Sequence, residues 1–309
     1  MRHPSTGSGA PLFTLLLASL LLCSCVPKQK GPTRLKVIAS MPVVYDWTRN
    51  LMNENENTTL FLNLIIKNGM SYHSCVPGIT EENLINSASL LIYVGGPSEK
   101  WIDEYVEKSR EAYPQRIVVR LIDYFCNEDG STPDEHFILS PEHAQVCCQK
   151  ISEALSLLDG ENASLYKQAS TKYLELLSIL DNSWKLQSQR LTDQSIIICD
   201  HMPFKYLFNE YGINYLCIYD ECPVQKNASP DSNTLVQLGH KIDKLGLNEV
   251  YVFESSDKKL AEQVISYSKN PKCDTLVFDC MESLTLSQLF SGKNYIDIMR
   301  NNLTLLRPN

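Results

Sequence analysis

From Arg34 onward the chain alternates short apolar runs with amphipathic stretches, and that alternation is interrupted once, by two helical patterns in succession. Strand and helix in alternation imply parallel sheets covered by helices. In the first half the expected strands are Leu35–Ala39, Thr59–Ile66, Leu90–Val94 and Arg116–Ile122, with helices over Val43–Met52, Glu81–Ser87 and Glu99–Ala112. Pro141, with Ser140 as N-cap, opens a helix reaching about Leu158. After Gly160, the stretch from Asn162 to about Leu191 places Leu165, Ala169, Tyr173, Leu176, Leu180 and Trp184 near helical spacing. Roughly 30 residues at a 1.5 Å rise reach about 45 Å, which reads as a rod joining two lobes. The alternation then resumes with strands Ser195–Cys199, Ile213–Ile218, Glu249–Phe253 and Thr275–Phe278, and helices Phe204–Tyr211, Ser232–Leu245, Lys258–Ser268 and Lys293–Leu306. The expected class is α/β: two lobes, each a mostly parallel sheet flanked by helices, joined by one long rigid helix. The lobes span residues 34–160 and 193–309, with the linking helix over 161–192.

The first 24 residues form a separate problem. Arg2 and His3 precede the apolar run Pro11–Leu22, too short to span a bilayer and read as the apolar region of a secretory signal. Leu22-Cys23-Ser24-Cys25 resembles a bacterial lipobox in which Cys25, with small Ser24 before it and Leu22 three positions back, is the lipidated residue. Residues 1–24 are then the lipoprotein signal and 25–33 a tether, which places the folded part in the periplasm or at the cell surface, held to a bacterial membrane. Loss of Arg2 with the signal takes the formal net charge from −8 to −9. An acidic surface argues against nucleic acid as partner and suits a cation. Nine of the 11 cysteines lie beyond Cys25, so an odd number cannot all pair internally. A bridge from Cys217 or Cys222 to Cys273 or Cys280 is the pairing expected in the second half. No Cys-x-x-Cys occurs, so a thiolate zinc cage is not expected.

Three histidines follow strands: His73 after Thr59–Ile66, His136 after Arg116–Ile122 by a loop, and His201 directly after Ser195–Cys199. Ligands of open parallel sheets bind outside the carboxyl ends of strands, and neutral imidazole is a common ligand for zinc. Two of these histidines come from the first lobe and one from the second, so the cleft between lobes is the expected metal site. An anionic oxygen would complete a tris-imidazole shell; Asp279, directly after the last strand, is the candidate, and Glu254, just after Glu249–Phe253, is the second choice as ligand or supporting group. Three imidazoles favour Zn²⁺ over the harder Mn²⁺, which stays the alternative. His143 and His240 are expected to be exposed. Cys75, close to His73, is read as a small hydrophobe rather than a ligand.

Gly69-x-x-x-His73-x-x-x-Pro77, Asp134-x-His136-x-x-Leu139-x-Pro141, His201-x-x-Phe204-x-Tyr206-Leu207, Glu210-Tyr211-Gly212 and the closing Tyr295–Leu303 together resemble the zinc/manganese solute-binding proteins of bacterial ABC importers. The resemblance covers nearly the whole chain after the signal. It implies His73, His136, His201 and Asp279 as metal ligands and an ABC permease of the cytoplasmic membrane as partner. It also implies a monomeric binding component rather than an enzyme. The chain departs from the family pattern at Ser71-Tyr72, Cys75-Val76, Ile138 and Ser140, and lacks a long His-rich loop. Two other functions share the metal site: a zinc hydrolase on an α/β scaffold, for which no His-Glu-x-x-His or nucleophile elbow is present, and a metal-binding surface adhesin. Ligand number separates the first from transport, because catalytic zinc keeps one position open.

Overall fold

The structure is a computed structural model that describes residues 35–52, 60–66, 73, 75–126, 130–191, 195–219 and 229–307. The signal, Cys25, the tether and Cys222 lie outside the described residues. Two four-stranded parallel sheets carry the fold. The first contains β1 (Leu35–Ala39), β2 (Leu60–Leu64), β3 (Leu90–Tyr93) and β4 (Ile117–Arg120) in the order β2-β1-β3-β4, interleaved with α1 (Pro42–Met52), α2 (Ile79–Ser87) and α3 (Lys100–Ser109). All four residues of β3 are buried, as expected for a central strand covered on both faces.

Two helices follow without a strand between them, α4 (Pro141–Leu158) and α5 (Ala163–Arg190). Ser140 caps α4 by accepting from the His143 amide at 3.3 Å, with Pro141 in the first turn. The 28 residues of α5 bury Tyr166, Ser170, Tyr173, Leu177, Leu180 and Trp184, spaced three and four apart on one stripe. The second sheet contains β5 (Ser195–Ile198), β6 (Asn214–Cys217), β7 (Glu249–Phe253) and β8 (Asp274–Phe278) in the order β6-β5-β7-β8. It is flanked by α6 (Lys205–Glu210), α7 (Ser232–Leu245), α8 (Lys259–Ser266), α9 (Leu286–Phe290) and α10 (Tyr295–Leu305). Both sheets thus place a switch in strand order at their centre, the position where α/β sheets open a crevice at strand carboxyl ends.

Three local readings change. The expected strand Arg116–Ile122 stops at Arg120 and turns into a 3₁₀ turn over Leu121–Tyr124. Its partner β3 is diverted by Gly95 and Gly96, both at left-handed φ (84° and 93°), so the pairing ends with the Ile122 amide donating to the Val94 carbonyl at 2.9 Å. Helix α9 was not expected from periodicity; five residues are too few to show it, and its signal is the capping box of Thr285 and Gln288. The expected disulfide does not form, since Cys273 and Cys280 are buried thiols. The Cys280 Sγ lies 3.3 Å from Glu254 Oε2, and burial pushes its thiol well above the ordinary range.

The C-terminal helix crosses back to the first lobe. The Tyr295 amide, at the N-terminus of α10, donates to the Asp46 carboxylate of α1 at 2.9 Å, and the Tyr295 ring packs edge-on against Trp47 at 5.3 Å. Asp46 is fully buried and also accepts from Arg49 at 3.0 Å, while Arg49 reaches the Leu289 carbonyl of α9. A buried carboxylate is tolerable only with such donors around it, and removing it strands them. Asp46→Ala is therefore expected to destabilise the fold by about 2–3 kcal/mol, read as a lowered midpoint in denaturant unfolding; an unchanged midpoint would show that this tie carries no stability.

Candidate metal centre

The loops beyond the strand ends bring three histidines together. His73 follows β2, His136 sits in a 3₁₀ turn over Glu135–Leu139 between β4 and α4, and His201 follows β5. The His73 and His136 rings are 5.1 Å apart between centroids, and His201 stands 6.5 Å from His73 and 6.3 Å from His136. His136 and His201 are buried and His73 half-buried.

Each ring is held by its Nδ1. His136 Nδ1 lies 3.1 Å from Asp134 Oδ1, the same carboxylate oxygen that accepts the His136 amide at 3.0 Å and so caps the 3₁₀ turn. His201 Nδ1 lies 2.8 Å from Asp200 Oδ1, and His73 Nδ1 is 2.8 Å from Ser98 Oγ and 3.3 Å from Glu135 Oε1. An imidazole whose Nδ1 is engaged by an acceptor presents Nε2 to a ligand, and carboxylate partners raise its basicity. These partners sit one or two residues from the histidine (Asp134, Asp200) or in a neighbouring loop (Ser98, Glu135). Asp134 stood inside a motif noted in the sequence; Ser98 and Glu135 were visible only through the fold.

The carboxylate that meets the histidines is Glu282, from the loop between β8 and α9. Glu282 Oε1 is 3.2 Å from His201 Nε2 and 3.4 Å from His73 Nε2. One ligand atom each from His73, His136 and Glu282 lie within 4.8 Å of one another. Burial works against the Glu282 carboxylate, but His201 and His73 outweigh it and hold it far below the usual carboxylate range. The reverse applies to His201: burial opposes its charge, yet hydrogen bonds to Asp200 and Glu282 raise it to about 10.

Asp279, the carboxylate expected from sequence, is directed elsewhere. Its Oδ2 is 2.6 Å from Lys293 Nζ, its Oδ1 accepts the Met281 amide at 2.9 Å, and its own amide donates to Asn302 of α10 at 2.9 Å. It is a turn-forming carboxylate paired with a lysine, three residues short of the position that reaches the cluster. Placement directly after a strand pointed to the loop that meets the histidines, but the residue of that loop facing them is Glu282, because the loop is wound rather than extended. Glu254, the second choice, points into the same loop: it accepts the amides of Cys280 and Glu282, each at 2.9 Å. Cys75 packs half-buried against the hydrophobic core, outside the cluster. His143 is not exposed as expected; its ring lies against Phe125, at 4.8 Å, with Nδ1 3.2 Å from the Phe137 carbonyl, while His240 is exposed.

The two halves also meet beside the cluster. Tyr206 Oη of α6 accepts the Asp134 amide at 2.8 Å, and Ser140 Oγ donates to Glu210 at the end of α6. Tyr295 Oη of α10 donates to the Leu139 carbonyl at 3.3 Å, so the turn bearing His136 is braced from the second lobe. Burial and the neighbouring Glu142 raise Glu210 to about 8, so this seam holds a carboxyl group near neutral pH. Among the described residues no helix is long and apolar enough to cross a membrane.

Comparison with known proteins agrees with this architecture. The zinc-binding lipoprotein AdcA of Streptococcus pneumoniae is 24% identical over 312 residues, covering 96% of this chain and 60% of AdcA. The chain thus spans about 60% of the length of that relative. The high-affinity zinc uptake system protein ZnuA of Bacillus subtilis is 24% identical over 318 residues, covering 96% of each. The solved Zn(II)-bound ZnuA-like domain of Streptococcus pneumoniae AdcA superposes with a TM-score of 0.73 at 22% identity, over 88% of this chain and 97% of that domain. The model of the ZnuA family, zinc-uptake complex component A, periplasmic, matches residues 37–308, and the chain belongs to that family.

Proposed function

We propose that this protein captures Zn²⁺ outside the cytoplasmic membrane through His73, His136, His201 and Glu282 and delivers it to an ABC permease. The carrying observation is the meeting of Glu282 with His73 and His201, from loops of both lobes, beside His136. Three imidazole nitrogens and one carboxylate oxygen suit zinc, whose structural sites are four-coordinate; manganese prefers more oxygen. Four protein donors leave no position for a reactive water, which favours a binding component over a hydrolase. The family membership and the zinc-related names of the relatives support the same cargo.

The full chain is expected to bind one zinc ion and to prefer it to manganese under equal supply, measured by competition and elemental analysis. His73→Ala, His136→Ala, His201→Ala and Glu282→Ala should each weaken zinc binding by roughly 100-fold or more, beyond the ~10–100-fold that losing an outer partner costs. Asp279→Ala should leave it essentially unchanged. Unaltered binding in the histidine variants would end this reading, and a loss confined to Asp279→Ala would move the carboxylate ligand there.

Zinc binding should also release protons. Free of metal, His201 titrates near 10 and is protonated at neutral pH. A protonated imidazole cannot coordinate, so zinc must displace that proton, and apparent affinity should rise with pH across the neutral range. In weakly buffered solution at pH 7 at least one proton per zinc is expected; no release would show that His201 is already neutral or does not bind.

We propose further that Cys25 is lipidated and holds the protein to the membrane. In a bacterial host, Cys25→Ser should shift the protein from the membrane fraction to the soluble one; retention with the membrane would rule the anchor out.

A further inference from the structure

We infer that Glu254 is the positioning residue that delivers Glu282 to the metal. The inference rests on the reading of Glu282 as a ligand. Glu254 follows β7 directly, and its carboxylate is enclosed by the loop that follows β8. Oε2 accepts the Cys280 amide at 2.9 Å and the Cys280 thiol at 3.3 Å, while Oε1 accepts the amides of Glu282 at 2.9 Å and Ser283 at 3.4 Å. Three backbone amides of one short loop therefore converge on a single side chain, the arrangement in which successive N–H groups cradle an anion.

The residue between the two best-anchored amides is Met281, whose φ is +64°. A side chain as large as methionine rarely adopts the left-handed region, which persists where its surroundings fix it. Here the fixing is visible: Cys280 and Glu282 on either side of Met281 are tied to Glu254, and the Met281 amide is tied to Asp279 at 2.9 Å. This reverse turn sends Glu282 back toward His73 and His201. A glutamate has a long flexible side chain, so its carboxylate reaches a fixed point reproducibly only when its backbone is held. Lys293 occupies the competing Asp279 carboxylate at 2.6 Å, leaving Glu282 as the acid of this loop offered to the histidines. The ligand is thus chosen by a carboxylate that does not itself bind.

The test is a double-mutant cycle on the full chain with Zn²⁺ as the probe, dissociation constants being read by chelator competition. Glu254→Gln keeps the size but replaces one accepting oxygen with a donor facing backbone amides. It should weaken zinc binding roughly tenfold or more, the scale of an outer-shell loss. Added to Glu282→Gln it should cost nothing further, because it acts only through Glu282. Losses that multiply, or wild-type affinity in Glu254→Gln, would overturn the inference. Wild-type affinity in Glu282→Gln would overturn the ligand assignment beneath it, and the inference with it. Glu254→Asp, which keeps the charge and shortens the reach, should fall between wild type and Glu254→Gln, and it serves for the same cycle if Glu254→Gln does not fold.

Discussion

A buried cluster of imidazoles needs a buried anion, and Glu282 supplies it. Without that carboxylate, a protonated His201 would sit in a low-dielectric pocket beside two other rings with only Asp200 to balance it. With it, the cluster is electrically settled, and the Nε2 atoms of His73 and His201 already face one carboxylate oxygen. Preorganisation of this kind reduces what must be ordered on binding. The supporting partners, Asp134, Asp200, Glu135 and Ser98, extend the same logic outward, each fixing the orientation of a ring.

The division of labour between sheets and loops follows from the topology. Parallel strands end together, so loops leaving β2 and β5 deliver His73 and His201 to the same side of their sheets. His136 arrives differently, on a 3₁₀ turn stopped by Ser140 and Pro141, with α6 and α10 pressing on it from the other half. The helices α4 and α5 supply the scaffold against which these approach, through a stripe running from Tyr166 to Trp184.

Much of this was legible in the chain, and the failures have a common cause. The alternation of periods gave both sheets, and α7, β7 and α4 begin and end where their caps and apolar runs say they should. That the three histidines come together was legible because placement after a strand is a local signal. The carboxylate facing them was not, because a carboxylate can serve a turn, a lysine or an imidazole, and only the path of residues 279–283 turns Asp279 to Lys293 and Glu282 to the histidines. That path depends on Glu254, which is 28 residues away from Glu282 in sequence. His143 failed for a similar reason: its helix position suggested solvent, but Phe125 and Phe137 cover it from a preceding loop.

Helix α10 reaches α1, the turn bearing His136 and the loop after β8. Its first residue is fastened to Asp46 and to the turn bearing His136, and its Asn302 grips Asp279 through both amide and carbonyl, at 2.9 Å and 2.8 Å. It works as a strut that ties the turn bearing His136 to the loop bearing Glu282. With zinc as the proposed cargo, exit falls to the turning of single side chains, and residence time to how fast one donor lets go while the frame stays still.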